Sequence, residues 1–441
     1  MAKKFFIKTY GCQMNVHDSE YMATILKSMG YILTSSEKKA DIILLNTCTV
    51  RKKPEQKAYS FLGRLKHQKE HRPLIIGVGG CVAQQEGERL LKHMPYVDFV
   101  FGTHQIYRLP ELINNLNQKE KVCETNFTYQ LEPPKKIIPF ALYNKFRAYL
   151  TIMQGCNNFC TYCIVPYVRG REISRRSENI LQEAKMLLDS GIKEIILLGQ
   201  NVNSYGQDLK EDVSFPELLR RVGTLSKLRR LRFLTSHPKD LTLDLIKSFG
   251  DIETLCEQIH LPAQSGSDRI LKKMNRRYTR GDYIKKIEML RKVCPEIAIT
   301  TDIIVGFPGE TEKDFEETIS LLQEVSFDDI FAFKYSDRPP AKAVEFKEKI
   351  GEKVKAERLA VVHEVQTPIT KGKYKEKVGR RVEVLLDSYS KRSSMELSGR
   401  TRCNRVVNVR AEPSLLGHLV EVEVEEPLSH SLRGRIIKVF D

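Results

Sequence analysis

From its start, the chain alternates short apolar runs with amphipathic stretches. "KFFIKTYGC" (residues 4–12), "ADIILLNTC" (40–48), "PLIIGVGGC" (73–81) and "VDFVFG" (97–102) are dense in aliphatic and aromatic residues, as buried strands are. Between and after them lie "DSEYMATILKSMGY", "PEQKAYSFLGRLKHQ", "AQQEGERLLKHM" and "IYRLPELINNLNQ", with helical spacing. The first of these has Asp18 or Ser19 as its expected cap. Strands alternating with helices predict an open, parallel α/β sheet over residues 3–119. Residues 120–146 lose the period and contain Pro133, Pro134 and Pro139, so they read as a linker.

The alternation resumes over 147–371. Strands are expected in "AYLTIMQG", "EIILLGQ", "LRFLTSHP", "QIHLPAQSGS", "AITTDIIVGF" and "DIFAFKYS", with amphipathic helices between them. Six β/α units fall short of a closed eightfold barrel and predict a partial one, a (βα)6 fold. Over 372–438 the helices stop. "RVEVLLDSYS" and "HLVEVEVEEPLSHSLRGRIIKVF" alternate β-branched and polar residues around turn signals, which predicts a small antiparallel β-barrel. Its arginines, Arg392, Arg400, Arg402, Arg405 and Arg410, suggest an RNA-holding module; a dimerisation domain is the alternative.

Charge adds to this picture. Lysine and arginine number 72 against 56 acidic residues, a formal net charge of +16. A polyanion partner, most often nucleic acid, is the natural reading. "RGREISRR" (169–176), "KLRRLRF" (227–233) and "KKMNRRYTRGDYIKK" (272–286) concentrate the charge into a candidate electrostatic footprint, unless they are solvated helix faces. No run of about 18 apolar residues marks a membrane span, and Lys8 interrupts the only apolar run near the start, so a cytoplasmic protein with no membrane partner is expected. Cytosolic thiols stay reduced, which points the ten cysteines to metal or redox chemistry.

Six cysteines form a pattern. Cys12, Cys48 and Cys81 each end a strand and precede a helix, on the edge where open α/β sheets bind ligands. Small buried cysteines also decorate strand ends, but three in register favour a metal site. Cys156, Cys160 and Cys163 in "QGCNNFCTYC" form C-x3-C-x2-C after the first barrel strand. Zinc sites use four ligands and ferredoxin clusters four cysteines; three leave one metal position for a substrate or cofactor. Cys123, Cys256, Cys294 and Cys403 have no comparable spacing and read as structural. His237 and His260 at strand ends could touch substrate or be satisfied structural residues.

With Tyr162 before its last cysteine, this motif resembles the radical S-adenosylmethionine signature. "TYGCQMNVHDSE", "LNTCTVRKKPEQK", "GGCVAQQEGE", "GCNNFCTYCIVPYVRGREISR", "LLGQNVNSYG", "HLPAQSGSDRILKKMNRRY", "TDIIVGFPGETEKDF" and "GRTRCNRVVN" together resemble the methylthiotransferases, nearly collinearly over the whole chain. Gln13 and Met14 are similar to the branch acting on N6-dimethylallyladenosine in tRNA; the ribosomal-protein branch carries Gly-Cys-Pro-Lys-Asn there, and the threonylcarbamoyladenosine branch Gly-Cys-Lys-Val-Asn. Pro339 and Pro340, where that family has Gly-Thr, are a departure.

The resemblance implies two [4Fe–4S] clusters, one per three-cysteine set, and S-adenosylmethionine bound at the first barrel strand's cluster. It implies a radical replacement of C2–H of adenosine 37 in tRNA by a methylthio group, with a low-potential electron donor and a sulfur source as further partners. A monomer suffices. Gln200, Asn201, Gln264, Ser265 and Gly306, at strand ends facing the first cluster, are the expected S-adenosylmethionine contacts. A methylthiotransferase acting on a ribosomal-protein aspartate or on threonylcarbamoyladenosine in tRNA, and a metal-stabilised RNA-binding protein, are the competing readings.

Overall fold

A computed structural model describes residues 2–49, 52–116, 121–128, 144–210, 213–391, 393 and 395–440. The first part is a six-stranded, wholly parallel sheet in the order β2-β1-β3-β4-β5-β6. Its strands are β1 (Lys4–Tyr10), β2 (Ile32–Leu33), β3 (Ile42–Thr47), β4 (Ile75–Gly80), β5 (Phe99–Phe101) and β6 (Val122–Glu124). Its helices are α1 (Gln13–Ser28), α2 (Lys52–His71), α3 (Cys81–Glu86), α4 (Glu88–His93) and α5 (Leu109–Asn115). Every residue of β3 is buried, because helices cover both faces of a parallel sheet.

Two expectations need correction here. Helix α1 starts at Gln13, five residues before the expected cap, so Asp18 and Ser19 lie buried inside it. The true cap is Cys12, whose backbone N–H donates to Asn15 Oδ1 at 3.2 Å. Residues 122–124 of the expected linker form the sheet's edge strand β6; Pro133, Pro134 and Pro139 lie outside the described residues.

The central part carries six parallel strands around a partial barrel: β7 (Arg147–Thr151), β10 (Glu194–Leu198), β11 (Arg230–Phe233), β12 (Gln258–His260), β13 (Ala298–Val305) and β14 (Asp329–Lys334). A parallel bridge between Leu231 and Leu255 joins the two three-stranded halves. A short antiparallel pair, β8 (Met153–Gln154) and β9 (Ile173–Ser174), flanks the cysteine loop. Helices α6 (Val165–Val168), α7 (Ser177–Asp189), α8 (Phe215–Gly223), α9 (Leu243–Asp251), α10 (Asp268–Lys273), α11 (Arg280–Val293) and α12 (Glu312–Val325) follow the strands, and α13 (Glu352–Lys375) leads out. Two helices start as their sequence offers: Thr279 with Asp282 and Thr311 with Asp314 each form a reciprocal capping box.

The last part is a closed five-stranded barrel of β15 (Arg381–Tyr389), β16 (Glu396–Thr401), β17 (Val406–Arg410), β18 (Leu419–Pro427) and β19 (Leu432–Phe440). It docks on the end of the partial barrel where the strands begin. Arg147 at the start of β7 pairs with Asp387 (3.2 Å). Arg230 at the start of β11 donates to Glu383 (2.8 Å) and to the Arg400 carbonyl (2.6 Å). Glu257 before β12 accepts from Arg402 (2.7 Å), Glu296 before β13 from Lys377 (2.5 Å), and Asp328 before β14 from Arg405.

This corrects the expected RNA footprint. Arg230 and Arg232 of the "KLRRLRF" cluster are buried in this joint, as is Arg405, and Arg400 and Arg402 are half-buried. Of the named arginines of the small barrel, Arg410 is exposed, and Arg392 lies outside the described residues. No helix among the described residues is long and apolar enough to cross a membrane.

Candidate active site

The two cysteine sets are built on different parts and meet at one seam. At the first, the ends of β1, β3 and β4 deliver Cys12, Cys48 and Cys81. Asn15 ties them together: its Nδ2 donates to Asn46 Oδ1 (3.0 Å) and to the Thr47 carbonyl (3.3 Å). Asn46 Nδ2 donates in return to the Asn15 carbonyl at 2.8 Å. Gly80 sits at φ +89°, and a Cβ there would strike Asn46 and the Thr47 carbonyl, so only glycine lets β4 approach this network.

Cys48 interacts with both Cys12 and Cys81. Interaction with Cys48 draws Cys12 down to about 6 and Cys81 to about 7, while Cys48 itself is held far up. The Arg169 guanidinium, delivered from the central domain, lowers both further. Both effects favour the thiolate form at Cys12 and Cys81, the form a metal binds.

The second set lies on the loop after β8. Gly155 has φ +85°, and a Cβ there would collide with the Arg171 carbonyl, so the turn into Cys156 requires glycine. Gln200 holds this turn by accepting from the Gly155 N–H (2.5 Å). The segment "MNRRY" cradles the loop from below. Asn275 Nδ2 donates to the carbonyls of Asn158 and Phe159, both at 3.1 Å. Arg276, fully enclosed, reaches Cys160 Sγ and Tyr162 Oη at 3.4 Å each, and donates to the Pro262 carbonyl at 2.7 Å. Burial pushes Cys156 up to about 11 and Cys163 up to about 12, so these thiols ionise when a metal replaces their protons.

The expected cofactor contacts divide. Asn201 and Gln264 are buried, and each keeps a side-chain oxygen without a hydrogen-bond partner, Asn201 Oδ1 and Gln264 Oε1. Gln264 holds φ +71°. Ser265 instead turns to α12, with its hydroxyl 3.3 Å from that of Thr318. Gly306 is packed under Lys355 of α13, which a Cβ would strike. His260 is satisfied by Thr300 (3.0 Å) and faces Asp302, while His237 Nε2 is buried without a partner. Cys256 and Cys294 are buried in the joint and core, Cys403 lies against Arg405, and Cys123 is on β6.

Asn275, Arg276 and Arg169 are functional candidates that motif chemistry alone did not single out. All three lie in the basic clusters "KKMNRRYTR" and "RGREISRR", where charge suggested a surface. Arg169 and Arg276 are instead buried beside sulfurs. Among the described residues, no group of three or more His, Cys, Asp or Glu side chains is arranged to hold a single metal ion.

A partial barrel with C-x3-C-x2-C at its top, joined to a parallel-sheet domain and a small β-barrel, has the architecture of a radical S-adenosylmethionine protein with two added domains. Three family models match in order: the uncharacterized protein family UPF0004 over residues 4–102, the radical SAM superfamily over 150–322 and the TRAM domain over 375–437. A tRNA-2-methylthio-N(6)-dimethylallyladenosine synthase of Syntrophus aciditrophicus is 48% identical over 437 residues, 99% of this chain and 95% of that protein. One from Clostridium botulinum is 49% identical over 440 residues, 98% of this chain and 97% of that protein. The chain belongs to this synthase family. Among solved structures, the radical S-adenosylmethionine methyltransferase TsrM of Kitasatospora setae shares the fold, with TM-score 0.55 and 12% identity over 75% of this chain and 73% of that one.

Proposed function

We propose that this protein is a methylthiotransferase that places SCH3 on C2 of N6-dimethylallyladenosine at position 37 of tRNA. The observation that carries the reading is the pairing of two three-cysteine sets, neither completed to four, on the two sides of one domain seam. Cys156, Cys160 and Cys163 would hold one [4Fe–4S] cluster, and Cys12, Cys48 and Cys81 the other. With S-adenosylmethionine, these groups supply the radical, the sulfur and the methyl group that an unreactive C2–H requires.

The chain's own residues supply position and exclusion. Asn15, Asn46 and Gly80 fix the first set, and Asn275, Arg276 and Gly155 fix the second. Gln200 orders the loop, while Asn201 and Gln264 offer buried acceptor oxygens to S-adenosylmethionine. The docking of the small barrel on the strand starts places that module at the opposite end of the barrel from the cysteines. A tRNA held there must extend along the barrel and splay its target base to the top. We place the enzyme in the cytoplasm as a monomer, served by a low-potential electron donor and a sulfur source.

The test is anaerobic reconstitution, with iron, sulfide, 5′-deoxyadenosine and tRNA nucleosides measured. Wild type is expected to hold about eight irons and eight sulfides. Cys156→Ala should abolish 5′-deoxyadenosine; Cys48→Ala should keep it but lose the methylthio product. Tightly bound zinc without iron, or an undiminished methylthio-adenosine pool in cells lacking the protein, defeats the proposal.

A further inference from the structure

Cys163 and Arg169 flank the one-turn helix α6, and this helix touches both cysteine sets. Ile164 and Val168 pack directly on Cys81. The chain around Arg169 is anchored to the N-terminal domain twice: Thr103 Oγ1 donates to the Val168 carbonyl (2.8 Å), and His104 Nε2 lies 2.9 Å from the Arg169 carbonyl. The side chain is 3% exposed. Its Nη2 donates to Asp18 Oδ2 at 2.7 Å, and its Nη1 has no hydrogen-bond partner. Val168, next to it in the chain, shares a buried cluster with Cys81, and the guanidinium charge favours the thiolates of Cys81 and Cys12.

A guanidinium carries five donors and never loses its charge. Buried with one carboxylate and an idle nitrogen, it is short of acceptors. Sulfurs of a cluster held by Cys12, Cys48 and Cys81 would be the acceptors that complete it.

We infer that Arg169 is a positioning residue for the auxiliary cluster: supplied by the barrel and oriented by Asp18, it donates to the cysteine sulfurs of the N-terminal domain, so that this site is complete only when the two domains are docked. The inference rests on the assignment of Cys12, Cys48 and Cys81 as cluster ligands. A fixed positive charge and N–H···S bonds favour the more negative, reduced state of such a cluster, and therefore raise its potential.

The test uses the full chain carrying C156A, C160A and C163A, so that reconstituted iron reports the first set alone. Iron and sulfide are assayed, and the midpoint potential is read by an EPR-monitored reductive titration, in this parent and with R169Q or R169K added. R169Q is expected to shift the midpoint to more negative potential, with R169K recovering part of the shift. Iron loss in R169Q that R169K restores also supports the inference, since it shows that the charge is needed for loading. An unmoved midpoint in R169Q, or equal iron loss in both variants, overturns it. An iron-free parent overturns the ligand assignment itself and this inference with it.

Discussion

Arg232, in the third barrel strand, donates to the carbonyl of Arg402 in the small C-terminal barrel at 2.6 Å. Its second nitrogen donates to the Thr401 carbonyl at 2.7 Å, and its Nε lies 3.2 Å from Glu194. Three segments far apart in sequence thus share one buried guanidinium. Arg232→Ala leaves Glu194, itself buried, short of a partner and should destabilise the chain by ~3–5 kcal/mol. Denaturant unfolding checks this. Arg410→Ala, at an exposed position, should leave the unfolding midpoint in place while weakening tRNA binding and reducing its salt dependence. If Arg232→Ala weakened tRNA binding with stability intact, the structural role of this cluster would be wrong.

The network beneath the first cysteine set makes a second prediction. Asn15→Ala removes both bonds to Asn46 and the Thr47 carbonyl, leaving buried polar groups unsatisfied at ~1–3 kcal/mol. Its effect should exceed the stability loss, because Cys12 and Cys48 are registered through this side chain. The measurement is iron per chain after reconstitution: Asn15→Ala should lose the iron of the first set and keep that of the second. Equal loss from both sets would point to general unfolding.

How far these features were legible differs by their range. The three strand-end cysteines and the C-x3-C-x2-C loop are visible in sequence because each is tied to a local period: a strand ending, then a helix beginning. The partial barrel and the small β-barrel follow from the same periods. What local pattern does not show is where a charged side chain points. Arg169, Arg230, Arg232, Arg276 and Arg405 look like solvent-facing charge along the chain, yet each is buried against a partner at least 70 residues away. The expected cap of α1 failed for a related reason. Asp18 has the right chemistry for a helix start, but it is held by Arg169, 151 residues further on.

Arg276 gives a third prediction. It reaches both Cys160 Sγ and Tyr162 Oη at 3.4 Å from a backbone flanked by positive φ at Asn275 and Arg277. Groups that orient ligands in this way typically change metal affinity or activity ~10–100-fold when removed. Arg276→Gln should lower 5′-deoxyadenosine formation within that range, and Arg276→Lys should recover less than half, since it cannot bridge sulfur, phenol and the Pro262 carbonyl together. Iron content of the first set should be unaffected, which separates this defect from misfolding.

The last prediction concerns pH. Cys12 is exposed, and the hydrogen bond from Cys48 draws it down to about 6, assisted by Arg169. A lowered pKa means that the thiolate is present above about pH 6 and is protonated below it. Alkylation proceeds through the thiolate. In the metal-free chain, Cys12 should therefore react with iodoacetamide at a rate that is near its plateau at pH 7 and falls as the pH drops through 6. Cys156 and Cys163, pushed up to about 11 and about 12 by burial, should remain nearly unreactive over the same range. Peptide mass spectrometry after timed labelling resolves the three sites. Replacing Cys48 with serine substitutes a weaker-acid donor and shifts the Cys12 profile upward. A Cys12 profile centred near the ordinary thiol value in the unaltered chain would show that Cys48 and Arg169 do not lower the Cys12 pKa.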